Sequence, residues 1–383
     1  MLLLIIFISL FVCYSILILY YWRSWISIPD PILPVGRQVV TGFTPSNHAP
    51  STHISIIIPA RNEEDNIAEL LKSLQEQTYP KELFEIIVID DHSTDKTAKI
   101  VSQFSGVKLL TLKEDVINSF KKKAIEKGIS AASGMLIVTT DADCLPTSSW
   151  LQILALFKEE TNAGFIVAPV VFNCNSSPVQ IFQAMDFMVL QGITAASVFK
   201  KIHSLCNGAN LAYERELFYD VNGFDGIDHI ASGDDMLLMH KIAKRYPERI
   251  HYLKSAEAIV STAPMKTWSA FFNQRIRWAS KATYYDDKRI FWVLLLVYLF
   301  NFSFFVLLVA GIWNSFYWLI FILGLSFKTI VELPFFYSLS IFFNKQWMVK
   351  LFFFFQPMHI FYTIISGLLG QFGKYEWKGR KVS

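Results

Sequence analysis

Charge is scarce in this chain. Only 17% of its 383 residues are charged, while 53% are hydrophobic and 15% aromatic. A soluble globular domain carries roughly 25% charge, and the mean hydropathy here is +0.36. Cysteine is also rare. Cys13, Cys144, Cys174 and Cys206 are scattered with no C-x-x-C pair. That spacing suggests neither a zinc site nor a disulfide framework, and it agrees with a reducing compartment for the soluble part. The net charge of +3 is too small to argue for a nucleic-acid partner. Neither G-x-G-x-x-G nor G-x-x-x-x-G-K-[ST] occurs, so neither common phosphate-cradling loop is present. There is no internal repeat and no low-complexity tract.

The surplus of apolar residues is concentrated, which points to membrane segments plus one soluble domain. Residues 1–22 contain no charge and end in Tyr-Tyr-Trp followed by Arg23. A membrane-crossing helix needs about 20 apolar residues. A secretory signal would have a basic start and a small-residue cleavage site, so an uncleaved anchor with an interfacial aromatic belt is expected. Arg23 and Arg37 after it put the following domain in the cytoplasm. Three further apolar runs cover 290–313, 314–343 and 351–372, read together as about three spans over 290–372. The middle run carries Lys328 and Glu332 four residues apart, with Pro334 behind them. They either pair inside a bundle or mark a break between short segments. The tail 373–383 is basic and would prefer the cytoplasm, which one span before the domain and three after it would not allow.

Residues 23–52 are proline-rich and read as a linker. From residue 53 the pattern changes. Ile54–Ile58 is a short apolar run ending at Pro59, as a buried parallel strand would be. Ile67, Leu70, Leu71 and Leu74 then follow helical spacing. Phe84–Ile89, Val107–Leu112 and Met135–Thr140 read as further strands. Ser93 or Thr94 is placed to cap a helix running to about 104, and another helix is expected over 118–131. Strands that are apolar throughout, alternating with helices, predict an α/β domain over 53–263 with a mostly parallel sheet covered on both faces.

Ligands of such sheets bind beyond the carboxyl ends of the strands. That rule selects the loop Pro59–Glu64, the loop Asp90–Asp95 and the triplet Asp141-Ala142-Asp143. Asp141 and Asp143 are two like charges in i, i+2 spacing at a strand end. They repel unless a cation lies beside them, and Mg²⁺ characteristically takes one or two carboxylates plus substrate phosphate. The bland alternative is a turn with a helix cap before Trp150. Asp234-Asp235 opens a helix, where acids suit the positive end of the dipole. Residues 264–289 read as an interfacial amphipathic segment, aromatic and basic, just before the second apolar run.

In order along the chain stand IIIPARNEE, VIDDHSTD, TTDADC, GANLAYERELF, GDD and Gln274-Arg275-Ile276-Arg277-Trp278. Together, over about 54–281, they resemble the family 2 glycosyltransferases with the GT-A (Rossmann-like) fold. The Q-x-x-R-W element and the flanking spans are similar to the membrane-embedded branch, which includes cellulose, hyaluronan and poly-N-acetylglucosamine synthases and ceramide glucosyltransferases. The resemblance implies inverting transfer of a sugar from a nucleotide-diphosphate sugar, with Mg²⁺ or Mn²⁺. It implies that Asp91, with Asp90 beside it, contacts the nucleobase, and that Ala60, Asn62 and Glu63 line the nucleotide site. Asp141 would meet the donor's ribose or sugar and share the metal region with Asp143, the metal ligand. Asp235 would be the general base, with Asp234 next to it where the family usually has Glu. The family's lysine falls within Lys121-Lys122-Lys123, preceded by Phe120 rather than glycine, and Lys121 is the choice. Arg277 would add positive charge near the diphosphate, Trp278 an apolar face for a sugar ring, and Gln274 belongs to the same element.

The expected protein is thus a multi-pass protein of a bacterial plasma membrane. Its partners are the bilayer, a nucleotide sugar and a lipid or saccharide acceptor. A short chain with few spans favours single transfer to a lipid or lipid-linked hydroxyl; a processive polysaccharide synthase is the alternative. A nucleotidyltransferase would need a basic, Gly-rich first loop, which PARNEE is not. A non-catalytic scaffold is disfavoured by the intact Asp141, Asp143, Asp235 and Arg277.

Overall fold

The structure, a computed structural model, describes residues 1–30, 50–114, 119–174, 177–202, 205–280, 287–370, 375–377 and 380–382. Arg37, most of the 23–52 linker and parts of the basic tail lie outside the described residues. The chain divides into two compact units. The first comprises Met1–Ile28, Phe172–His203 and Pro264–Ser383; the second comprises Pro29–Val171 and Ser204–Ala263.

The second unit is built on a seven-stranded sheet. Its strands are β1 (Ile54–Ala60), β2 (Phe84–Asp90), β3 (Val107–Thr111), β4 (Leu136–Thr139), β6 (Phe165–Val167), β8 (Leu211–Glu214) and β9 (Ile250–Tyr252), in the order β3-β2-β1-β4-β8-β6-β9. Ile56, Ile57 and Ile58 of β1 are wholly buried, which fits a continuous apolar strand flanked by parallel neighbours. Each such side chain contributes roughly 1.5–3 kcal/mol by leaving water. β1 runs parallel to both β2 and β4. β8 runs antiparallel to β4 and β6, so the sheet is mostly parallel with one reversed strand. A second sheet orders β5 (Cys144–Pro146), β10 (Val260–Thr262) and β7 (Val170–Phe172).

The helices α2 (Ile67–Gln75), α3 (Thr97–Val101), α4 (Phe120–Ser130) and α5 (Trp150–Thr161) alternate with the strands. α3 is shorter than the sequence suggests, and neither Ser93 nor Thr94 starts it. The Asp95 carboxylate accepts from the Thr97 N–H at 2.9 Å instead, because Ser93 and Thr94 are both engaged by Asn62. α7 (Arg215–Asp220) and α8 (Met236–Arg245) complete this unit.

The first unit is helical: α1 (Leu2–Ser27), α6 (Pro178–Phe199), α9 (Trp268–Ala279), α10 (Lys288–Ala310), α11 (Phe316–Phe342) and α12 (Phe352–Leu369). Among the described residues, five helices are long and apolar enough to cross a membrane: α1, α6, α10, α11, and α12 with the short turn before it. α6 was not anticipated, and it lies inside the interval 53–263. Its length and hydropathy pass, but it is far more enclosed than the others. Strands on either side of it, β6 and β8, pair in one sheet. A single crossing by α6 would therefore require bare backbone to return through the hydrocarbon, which is unfavourable.

The aromatic belt at the end of α1 is split. Tyr20 is exposed, Trp22 half-buried and Tyr21 buried; beyond the belt Trp25 is buried too, its ring edge-on to Phe342 at 5.1 Å. The run 314–343 forms one helix, α11, with Pro334 inside it. Lys328 and Glu332 pair across one turn at 2.7 Å rather than marking a break.

Candidate active site

The site begins where β4 ends. β4 is central, between β1 and the reversed β8. A turn closed by Cys144 N–H donating to the Asp141 carbonyl at 3.1 Å sets Asp141 and Asp143 just past the strand. The ligand atoms of Asp141, Asp143 and Cys144 all lie within 4.8 Å of one another. Because β8 is antiparallel, the loop that precedes it arrives at the same edge. Thr140 Oγ1 donates to the Ala209 carbonyl at 2.9 Å, pinning that loop against the strand end.

The loop before α8 joins from a third direction. Asp235 Oδ2 accepts from the Gly208 N–H at 2.9 Å, and its Oδ1 accepts from Met236 N–H at 2.7 Å. Asp235 thus begins the helix and is tethered to the β8 loop. Lys121, near the start of α4, links the two acidic groups: its Nζ lies 2.6 Å from Asp141 Oδ1 and 3.3 Å from Asp234 Oδ2. Burial alone would lower the Lys121 pKa. Asp141 and Asp234, with Asp235 beyond, outweigh it and hold the ammonium above its ordinary range. Lys121 thus answers acids on two loops at once, and the close carboxylates of Asp141 and Asp143 suit a further cation.

The lysine triplet separates cleanly. Lys121 faces the acids. Lys122 is buried, donating to the carbonyls of Ile230 and Ser232, and braces the loop leading to Asp234. Lys123 pairs with Glu126 at 2.7 Å on the surface.

The carboxyl ends of β1 and β2 form a neighbouring polar ledge. Ala60 pairs in register with Asp90, and its carbonyl accepts from Asp91 N–H at 2.8 Å. Arg61 Nη1 donates to the Asp91 carbonyl at 2.8 Å, and His92 Nδ1 lies 2.9 Å from Asp91 Oδ1. Asn62 adopts φ 51°, and its side chain accepts from Thr94 N–H. The Glu63 N–H donates to Thr97 Oγ1 at 2.8 Å. Asp90 is buried, and its Oδ1 has no hydrogen-bond partner among the described residues. A buried carboxylate oxygen left unpaired is costly, so it is a ready acceptor for a ligand N–H or O–H.

Gln274, Arg277 and Trp278 belong to α9 and the other unit. The intervening Arg275 is buried. It pairs with Asp186 at 2.7 Å and lies 4.2 Å from the Trp278 ring. Gln274 Oε1 is buried without a hydrogen-bond partner among the described residues.

The sequence reading gave no role to Gly208, Thr140 or Cys144. A Cβ on Gly208 would sit 3.3 Å from Asp234 Oδ2 and 3.5 Å from Lys121 Nζ, so glycine leaves room for the lysine. Its place just before a strand in GANLAYE was the available signal.

Residues 55–221 match the model of the glycosyl transferase family 2. It is 29% identical over 235 residues to the probable glycosyltransferase YdaM of Bacillus subtilis, covering 59% of this chain and 54% of that one. It is 27% identical to the glycosyltransferase AglE of Haloferax volcanii, covering 58% of this chain and 71% of that one. Among solved structures, the mannosyltransferase PcManGT of Pyrobaculum calidifontis, in complex with GDP-Man and Mn²⁺, matches with a TM-score of 0.55. It is 20% identical, covering 96% of this chain and 99% of that chain. The fold is thus the α/β GT-A sheet that the motifs imply. The chain spans about half the length of YdaM.

Proposed function

We propose that the chain is an inverting glycosyltransferase. It moves a sugar from a nucleoside-diphosphate sugar to a hydroxyl of a lipid or lipid-linked acceptor at the cytoplasmic face of a membrane. The observation that carries this reading is the Lys121 bridge. It joins Asp141, past β4, to Asp234, beside Asp235. Two acidic groups far apart in sequence therefore serve one place.

The carboxylates of Asp141 and Asp143 fit a divalent ion, being what Mg²⁺ or Mn²⁺ takes alongside a diphosphate, whereas the neighbouring buried thiol of Cys144 is too soft a ligand for either. When bound, such an ion offsets the charge growing on the departing diphosphate. The chain's own residues do the rest. Asp90 and Asp91 receive the nucleobase at the ends of β1 and β2, with Ala60, Asn62 and Glu63 lining that side. Lys121, kept charged, steadies Asp141 and Asp234 around the donor sugar. Asp235 takes the proton of the acceptor hydroxyl as that oxygen attacks, and one in-line displacement inverts the anomeric centre. A positioned base of this kind contributes about 10²–10⁴-fold.

The lipid side of the reading rests on the helical unit. α1, α10, α11 and α12 are the crossings, in a multi-pass protein. Gln274, Arg277 and Trp278 lie on α9, ten residues or so before α10 begins, which suits a place at the membrane surface.

The test incubates detergent-purified protein with a panel of nucleotide sugars, Mn²⁺ and membrane lipid extract. The proposal expects a product one sugar heavier than a lipid acceptor. A polymer would point to a processive synthase, and no transfer from any donor would remove the reading.

A further inference from the structure

Charge inside the helical unit is arranged differently from charge at the sheet. Lys328 is wholly buried on α11. It pairs with Glu332 at 2.7 Å and donates to Gln356 Oε1 at 2.5 Å. Gln356 Nε2 donates to Glu332 Oε2 at 2.5 Å, and Tyr14 Oη also donates to Glu332. A second group centres on α6, where Asp186 pairs with Arg275 and accepts from Tyr362 Oη at 2.5 Å. Each carboxylate has one partner cation, so the two groups are neutral in sum.

Both groups border one cavity of about 60 Å³, reached by Tyr14, Asp186, Glu332, Gln356 and His359. A cavity needs only about 10–15 Å³ to hold a water, so this one admits a small polar group. The rest of the wall is apolar, including Phe182, Met185 and Phe335. Two atoms of its lining side chains lack a hydrogen-bond partner among the described residues: Asp186 Oδ2, which is ion-paired with Arg275, and His359 Nδ1. His359 Nδ1 is buried with no hydrogen-bond partner among the described residues, and its Nε2 is 4.0 Å from Asp186 Oδ1. Ionisable side chains set among apolar helices are costly and characteristically mark a ligand or ion path.

We infer that this cavity binds the hydroxyl-bearing head of an uncharged lipid alcohol. A hydroxyl both donates and accepts, which answers the unpaired nitrogen of an imidazole whose other nitrogen lies beside Asp186. A phosphate head would meet Asp186 and Glu332, whose partner cations Arg275 and Lys328 are already engaged, and burying such a charge is unfavourable. The aromatic and aliphatic wall suits the first methylenes of the chain attached to the head. This deepens the reading of a lipid-directed transferase and rests on it: it gives the lipid held among the helices as a neutral alcohol rather than a lipid phosphate.

The test uses the full chain in nanodiscs and a diacylglycerol carrying a diazirine near its head. Photolabelling is done without any donor sugar, and the labelled peptides are mapped. The inference expects label on α6, α11 or α12. Unlabelled diacylglycerol should compete at least about tenfold better than dioleoyl phosphatidate. Met185→Trp and Val189→Phe, which fill the cavity, should each lose the label while a thermal melt shows the fold intact. Label elsewhere only, equal competition by phosphatidate, or full labelling in both folded fillers would overturn it. If labelling behaves as expected but no sugar transfer occurs from any donor, the transferase reading fails and the site stands. If sugar reaches lipid while the cavity stays unlabelled, the site fails and the transferase stands.

Discussion

The sheet unit and the helical unit use ionisable residues in opposite ways. At the sheet edge, Lys121 bridges Asp141 and Asp234, with Asp143 beside the first and Asp235 beside the second. In the helical unit, Lys328 answers Glu332 and Arg275 answers Asp186, one for one. The first arrangement is incomplete and calls for a cation with its anionic ligand. The second is balanced in charge and suits an uncharged guest. An excess of one sign is tolerable where solvent screens it: the Asp141 side chain is 37% exposed, whereas those of Asp186 and Arg275 are 4% exposed. Low dielectric amplifies any imbalance, so apolar surroundings enforce strict pairing.

That contrast can be broken by mutation. The largest expected effect is on chemistry. Asp235→Asn should reduce transfer by about 10²–10⁴-fold while nucleotide binding persists, read as turnover against binding in the same preparation. Next, Asp186→Ala should destabilise the protein by about 3–5 kcal/mol, because Arg275 is left buried and unpaired. The matched change in the other unit, Asp141→Asn, leaves Lys121 with Asp234 at a partly exposed site and should cost under about 1 kcal/mol. Equal losses in denaturant titrations of the two variants would erase the distinction.

A smaller effect belongs to the sheet itself. A Cβ on Gly134 would lie 2.6 Å from the Ser55 backbone nitrogen. Gly134→Ala should therefore cost about 1–3 kcal/mol, visible as a lower melting temperature. The smallest effects concern pH. The Lys121 pKa is raised on folding, so its contribution is complete below the unfolded value, about 10.4, and is lost only as pH rises through the higher folded value. Stability should not respond to Lys121 between pH 6 and 9, roughly the neutral range. Asp95 goes the other way: slight burial raises its pKa, but hydrogen bonds from Thr97 and Glu64 outweigh that and lower it. Its contribution is present above the unfolded value and fades as pH falls through the folded one. Asp95→Ala should flatten the acid limb of a stability profile, and an unchanged limb would count against the bond.

Much of the sheet was legible because buried parallel strands are apolar throughout. β1 to β4 each show as a short run bounded by polar loops, and the strand-end rule then selects their loops. The reversal of β8 was not legible, since a central strand looks the same in either direction. The start of α3 was misread because Ser93, Thr94 and Asp95 can all accept from a helix N–H. Which one does so depends on Asn62, thirty-odd residues earlier. α6 escaped notice because Gln183, Asp186 and Gln191 interrupt its apolar run. Those residues are buried by partners elsewhere in the chain, such as Arg275 and Tyr362 for Asp186. Its membership of the helical unit is equally hidden, because strands of the sheet flank it in sequence. At the site, spacing alone picked out Asp141 and Asp143, but only the fold brings Asp234 and Asp235 to them.

The most direct test of the central claim is calorimetric titration of Asp143→Ala and Asp235→Asn with nucleoside-diphosphate sugar, with and without Mn²⁺. The account predicts that Asp143→Ala loses the Mn²⁺-dependent part of donor binding, whereas Asp235→Asn keeps it and fails only in transfer. Unchanged Mn²⁺ dependence in Asp143→Ala, or full transfer by Asp235→Asn, would contradict a shared site at the end of β4.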